Sequence, residues 1–247
     1  MTKTAAVVTG HSRGLGAAIA AELLTRGTRV LGVARHVNPE LAQRHGNALT
    51  QLALDLADLP ALTRWLESDA LPQFLRGCDL ALLVNNAGLL EPLAPLEKQE
   101  PSDVARTISV NVGAVLALSA AFGTATTEVA DRRILHISSG AGRKAYPGWS
   151  VYCASKAALD HHARAVALDR TARLRISAVA PGVIDTYMQD LIRASDERDV
   201  PDQPRFLAMW HEGTLQRPND VARAIVDFVL SQEFGSEPVS DLRRVTA

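Results

Sequence analysis

The chain has 247 residues, enough for one large domain or two small ones with a substantial core, and 47% of them are hydrophobic, which excludes a disordered protein. Lys and Arg number 26 against 27 Asp and Glu, a net charge of -1, so no basic excess recruits nucleic acid or an anionic membrane surface. The only two cysteines, Cys78 and Cys153, lie far apart, which argues against a disulfide framework or a zinc cluster.

The N-terminus, "MTKTAAVVTGHSRG", runs directly into a short apolar stretch and a glycine loop, without the apolar core of a signal peptide. No later run reads as long enough to span a bilayer, so a cytoplasmic protein is expected. "AAVVT" (5–9) is the first predicted strand, followed by a helix over 15–26. Strands at 29–34 and 51–56, a helix at 58–68 and a strand at 80–85 come next. A long helix follows at 101–126, then a strand at 133–138, a helix at 150–170 and a strand at 175–180. Continuous apolar runs of this kind suit parallel strands covered on both faces. A last helix at 218–232 starts at Pro218 and carries an apolar face of Val221, Ile225, Phe228 and Val229. The alternation predicts an α/β fold: a single-domain, doubly wound parallel sheet over 1–247, with helices on both faces and ligands bound beyond the carboxyl ends of the strands. The segment 183–217, with Pro201, Pro204, Tyr187, Phe206 and Trp210, has no clear periodicity and reads as a substrate lid.

The turn after the first strand is "TGHSRGLG", with glycines at 10, 14 and 16. Glycines there let the backbone approach a pyrophosphate, and the following helix N-terminus adds unpaired N–H groups and partial positive charge. No Lys-Ser or Lys-Thr follows, so this is not a nucleoside triphosphate loop. The second strand ends at Ala34 and Arg35, where a carboxylate would bind a free ribose 2′-hydroxyl and an arginine a 2′-phosphate. With the acid missing, and with Arg13 in the glycine loop approaching from the other side, the pair favours NADP(H) over NAD(H). Either arginine alone would read as a solvated surface residue.

Together with these features, later motifs make the chain similar to the short-chain dehydrogenase/reductase family over nearly its whole length. Asp55 in "LDLAD" resembles the family's adenine-contacting acid. "NNAG" stands at Asn85-Asn86-Ala87-Gly88. Asn111 in "SVNVGA" resembles the helix asparagine. Ser139 in "HISSGAG" precedes Tyr152 by thirteen residues, and Tyr152-x-x-x-Lys156 follows. "PGVIDT" spans Pro181 to Thr186. Many members carry a strand and Asp-Gly-Gly near the C-terminus, where this chain has "FGSEPVSDLRRVTA". "PGVIDTYMQDLIR" looks more like the sepiapterin reductase and benzil (1,2-diketone) reductase branch.

The resemblance implies coenzyme contacts from Gly10, Ser12, Arg13, Gly14, Leu15 and Gly16 in the loop, and from Arg35. It implies others from Asp55 and Leu56, from Asn86, Ala87 and Gly88, from Pro181, Gly182, Ile184 and Thr186, and from Tyr152 and Lys156. It makes Asn111, Ser139, Tyr152 and Lys156 the catalytic set, with no metal. Tyr152 would donate the proton to the oxygen of a reduced carbonyl. A phenol near pKa 10 needs help, and an ammonium at i+4 on the same helix face favours the phenolate. Ser139 would hold the carbonyl oxygen, and Asn111 would support a water linking Lys156 to solvent. An isolated Tyr–Lys pair is an ordinary helix edge; the conjunction of motifs favours the catalytic reading. His11 reads as a bystander in the loop, and Cys153 as a small packing residue. The expected activity is NADPH-dependent reduction of a ketone or 1,2-dicarbonyl, with 3-oxoacyl or general alcohol dehydrogenation, or non-catalytic NADP(H) sensing, as alternatives. Pairing through the two long helices, to a homodimer or homotetramer, is implied as well.

Overall fold

The computed structural model describes residues 2–245. Seven parallel strands form one sheet in the order β3-β2-β1-β4-β5-β6-β7. They are β1 (Thr4–Thr9), β2 (Arg29–Ala34), β3 (Leu49–Ala53), β4 (Leu80–Asn85), β5 (Asp131–Ile137), β6 (Leu174–Ala180) and β7 (Val239–Asp241). The order reverses between β1 and β4, where the first crossover series ends and the second begins, so a crevice opens above these two strands.

Alternating residues of each strand feed two cores. Ala6 and Val8 of β1, with Val30, Leu82, Val84 and Leu135, pack under α1 (Gly14–Thr25) and α10 (Pro218–Leu230). Ala5 and Val7, with Leu31, Val33, Leu83 and Ile134, pack under α3 (Leu59–Leu66), α4 (Ala70–Leu75) and α6 (Ala114–Ala125). A strand buried on both sides has no polar face, which is why these runs are continuously apolar.

Local chemistry sets the helix starts. Asn38 accepts a hydrogen bond from Leu41 N (3.0 Å) and Pro39 follows it, opening α2 (Pro39–His45). Asp58 caps α3 through Ala61 N (2.9 Å).

Several expectations are corrected. Neither α2 nor α4 was expected. β3 runs from Leu49 to Ala53, so Asp55 and Leu56 lie beyond its end rather than in the strand. The long helix is broken into α5 (Pro101–Ile108), one π-helical turn (Ser109–Gly113) and α6. The C-terminal strand that the tail sequence does not signal is present as β7, paired with Ala178–Ala180 of β6 and followed by α11 (Leu242–Val245). The run Pro101–Ala125 is also long and apolar enough to cross a membrane, with a mean hydropathy of 1.7. Its face of Val110, Ala114, Leu118 and Phe122 is spent on the sheet, as in the core helix of a globular protein.

The segment 183–217 is helical where no periodicity was read. It holds α8 (Tyr187–Arg193) and α9 (Gln203–His211) and is pinned at its neck: Asp185 N donates to Gln216 O (2.9 Å) and Gln216 N to Val183 O (3.0 Å). α8, α9 and the start of α7 (Ser150–Leu168) share a third apolar cluster containing Trp149, Tyr152, Ile192, Val200 and Phe206.

Candidate active site

Above the carboxyl ends of the strands lies a cavity of about 1070 Å³. Every residue expected to touch the coenzyme lines it, and Thr186 lies against the glycine loop, its Cγ2 3.6 Å from where a Cβ on Gly14 would stand. Gly10 and Gly14 have φ of 71° and 57°, left-handed conformations that favour glycine. Gly16 is required by packing: a Cβ there would lie 2.2 Å from Gly10 O and 2.4 Å from Asn86 Nδ2. Among the described residues no side chain caps the N-terminus of α1. An uncapped helix start beneath a glycine turn fits the pyrophosphate of a dinucleotide.

Thr9, which the sequence did not single out, fixes the far side of the loop. Its Oγ1 accepts from Asn86 N and Ala87 N, both at 3.0 Å, and its carbonyl accepts from Asn86 Nδ2 at 3.0 Å. His11 points away from the cavity. It is fully buried against Gly32, with Nε2 2.7 Å from Gln51 Oε1.

Arg13, Asp55 and Arg106 at this end are already partnered. The Arg13 guanidinium lies over the Tyr187 ring, 4.4 Å from its centroid, rather than converging with Arg35. Asp55 Oδ2 pairs with Arg106 Nη2 at 2.9 Å, and Oδ1 accepts from Ala57 N at 3.0 Å. Burial works against the Asp55 carboxylate, but the hydrogen bonds from Ala57 and Arg106 outweigh it and hold its pKa below the usual range. Arg106 had no sequence signal, since its partner lies 51 residues away.

The reactive end is built where β5, the π turn and α7 meet. Tyr152 is buried, with its hydroxyl 3.8 Å from Met188 Sδ. Lys156 Nζ donates to Ile137 O (2.8 Å) and sits 5.6 Å from the centroid of the Tyr152 ring. Ser139 lines the cavity and its Oγ accepts from Ala141 N (3.1 Å). Asn111 does not line the cavity. It is fully buried in the π turn, where Oδ1 accepts from Leu89 N (2.7 Å) and Nδ2 donates to Leu89 O (2.8 Å) and Ser155 Oγ (3.0 Å). Its side chain therefore braces the segment after "NNAG" against α7.

Burial dominates the titration of this pair. It pushes the Tyr152 phenol up to about 12, although the Ser139 hydroxyl works in the other direction. It pulls Lys156 down to about 8, opposed by the charge of Asp160. The lowering of the phenol expected from Lys156 does not emerge: burial sets the direction, and the opposing influence comes from the Ser139 hydroxyl. At neutral pH Tyr152 carries its proton and Lys156 its charge.

Beyond Tyr152 the cavity ends in an apolar wall. Trp149 stacks on Phe206 (centroids 5.6 Å, 20°) and meets Tyr146 at 5.2 Å and the edge of Tyr152 at 5.9 Å. Met188 and Leu191 of α8 complete it.

Comparison with known proteins agrees with this geometry. The profile of the short chain dehydrogenase family matches residues 4–197. A benzil reductase ((S)-benzoin forming) of Bacillus cereus is 35% identical over 235 residues, covering 92% of this chain and 94% of that protein. The sepiapterin reductase of Meriones unguiculatus is 29% identical over 244 residues, covering 93% and 92%. A short-chain dehydrogenase/reductase from Burkholderia vietnamiensis, solved by crystallography, superposes with a TM-score of 0.73 at 45% identity over 99% of both chains. With that profile spanning most of the sheet and reductases alike along nearly the whole length, the chain belongs to the short-chain dehydrogenase/reductase family, oxidoreductases that use NAD(P) and act between carbonyl and alcohol.

Proposed function

We propose that this chain is an NADPH-dependent carbonyl reductase acting on a bulky ketone or 1,2-dicarbonyl of the sepiapterin or benzil kind, with Tyr152 as proton donor. The observation that carries the reading is the continuity of one cavity, from the uncapped start of α1, past Tyr152, to the wall of Tyr146, Trp149 and Phe206. A flat aryl or pteridine group suits that wall, since aromatic rings favour offset or edge contacts with one another. The similarity to a benzil reductase supports the same substrate class. The 2′-phosphate preference rests on Ala34 and exposed Arg35 ending β2 with no carboxylate.

Bound NADPH supplies the hydride. Ser139 orients the substrate oxygen by hydrogen bonding, and Tyr152, protonated at neutral pH, delivers the proton to it. Lys156 keeps a positive charge beside the phenol, and Asn111 holds the wall of the proton path. The segment 183–217 acts as the lid, because α8 and α9 carry Met188, Leu191 and Phe206 onto the substrate end. A homodimer or homotetramer through α5–α6 and α7 fits the exposed Ile108, Leu116 and Leu168 on those helices. We assign the protein to the cytoplasm.

The test is NADPH oxidation with benzil, a pteridine ketone and an acetoacetyl thioester in parallel. The reading expects the aromatic dicarbonyl or pteridine to be favoured in kcat/KM, and Tyr152→Phe to abolish turnover while NADPH still binds. Preference for the thioester, or turnover by the variant, would overturn it.

A further inference from the structure

One buried carboxyl group at the reactive end has no place in the reaction described above. Asp160 stands on α7 one turn beyond Lys156 and is 1% exposed. Aspartate is almost never buried to this degree unless paired. Its Oδ1 accepts from Ser138 Oγ at 2.5 Å. Its Oδ2 lies 3.3 Å from Arg143 Nε, and Arg143 Nη2 in turn donates to Ser240 O of β7 at 3.0 Å.

α7 thus grips two successive residues at the end of β5. Lys156 holds Ile137 by its carbonyl and Asp160 holds Ser138 by its hydroxyl. The next residue is Ser139. The turn after it is pressed onto the same helix: a Cβ on Gly142 would lie 2.9 Å from the carbonyl carbon of Lys156. Ser139 and Tyr152 belong to different elements, and this seam sets the distance between them.

We propose that Asp160 is a positioning residue for the reduction: through Ser138 it fixes Ser139 opposite Tyr152, and its negative charge keeps the enclosed Lys156 in its ammonium form. The proposal rests on the reading of Ser139, Tyr152 and Lys156 as the reaction site. The groups facing Lys156 leave Asp160 as the anion that does this. Tyr152 on α7 is a neutral phenol, His136 on β5 is held neutral by burial and Asn111 of the π turn is uncharged, while Arg143 from the turn after β5 pairs with Asp160 itself. The Asp160 charge raises the Lys156 pKa against desolvation. Deleting it moves the lysine further down, toward the neutral amine at physiological pH.

The experiment reads Lys156 directly. The chain has four lysines, so protein grown on lysine labelled with ¹³C at Cε gives few resonances, and Lys156→Met assigns the one of interest. Asp160→Asn keeps the shape and removes the charge; the Lys156 midpoint is expected to fall by about one unit or more. The alkaline limb of kcat/KM should fall with it. Ser138→Ala cuts the hydrogen bond and keeps the carboxylate; it is expected to lower kcat several-fold with the midpoint unmoved. Arg143→Ala, at a half-exposed site, removes the competing cation and should raise the midpoint even where Asp160→Asn folds poorly. A Lys156 midpoint unchanged in both charge variants would overturn the proposal, as would full activity in Ser138→Ala. The titration needs neither substrate nor coenzyme, so a shifted midpoint without carbonyl turnover would reject the proposed reduction and leave the charge coupling standing.

Discussion

His136 should make the stability of this protein pH-dependent in a defined window. Its ring is fully buried between β4 and α7. Asn85 Nδ2 also donates to Ser119 Oγ, whose own proton is used on Val115 O, so the amide nitrogen is a donor and His136 Nδ1, 3.1 Å away, accepts. The proton of neutral His136 is therefore on Nε2, which donates to His162 Nδ1 at 3.0 Å. A second proton would face the Asn85 amide hydrogens and the nearby Lys156 charge. Burial, then the charges of His162 and Lys156, pull the pKa from 6.5 down to about 3.

The folded state thus binds fewer protons than the unfolded state below pH 6.5, so stability is present above that value and is lost as pH falls toward 3. For this one group the loss is about 2 kcal/mol between pH 7 and 5, and about 4 kcal/mol once pH 3 is reached. His162, lowered for the same reason, contributes in the same direction. Urea unfolding of the wild type and of His136→Gln at pH 7, 6 and 5 isolates the effect, because carboxylates such as Asp131 are common to both proteins. The variant is less stable at pH 7 but should lose about 2 kcal/mol less on going to pH 5. Parallel curves for the two proteins would refute the argument.

Arg35→Ala should raise KM for NADPH at least tenfold and leave KM for NADH nearly unchanged; equal effects on both coenzymes would show that the guanidinium does not read a 2′-phosphate. Gly32→Ala places a Cβ 2.3 Å from His11 Cγ, an overpacking expected to cost about 1–3 kcal/mol and a few degrees of Tm. Adding His11→Ala should restore much of that loss, and failure of the rescue would locate the strain elsewhere. Phe206→Ala removes the ring stacked on Trp149 and should raise KM for an aryl diketone far more than for a small aliphatic one, a split measurable in one steady-state series.

The parts of the fold legible in the sequence are those whose physics is local or strongly periodic. The inner strands β1, β2, β4, β5 and β6 are buried along most of their length and carry apolar runs, and glycines at positive φ leave a mark at Gly10 and Gly14. β7 leaves none: Val239, Ser240 and Asp241 form a strand because β6 offers them an open edge. α2 carries one local signal, the Asn38-Pro39 start, but seven residues are too few for a periodic apolar face. The π turn is invisible to a 3.6-residue pattern, although it is what carries Asn111 to the backbone of Leu89. At the site, the lining residues were readable from motifs, whereas the pairings of Arg13 with Tyr187, Asp55 with Arg106 and Asp160 with Ser138 join residues far apart in the chain.

Those pairings divide by burial in a way that suits the two ends of the cavity. At the coenzyme end, the side chains of Asp55 and Arg106 are 38% and 41% exposed. An ion pair that wet is worth about 1 kcal/mol or less, so exchanging its partners for those of an arriving ligand costs little. At the reactive end Asp160 is 1% exposed and Lys156 4%. Removing one member of such a set strands a buried charge and costs several kcal/mol. The exchangeable charges thus sit where a ligand has to come and go, and the fixed ones where Ser139 and Tyr152 must keep their spacing. Substitutions at Asp55 or Arg106 should therefore be felt in coenzyme KM with little effect on Tm, and substitutions at Asp160 in both kcat and Tm.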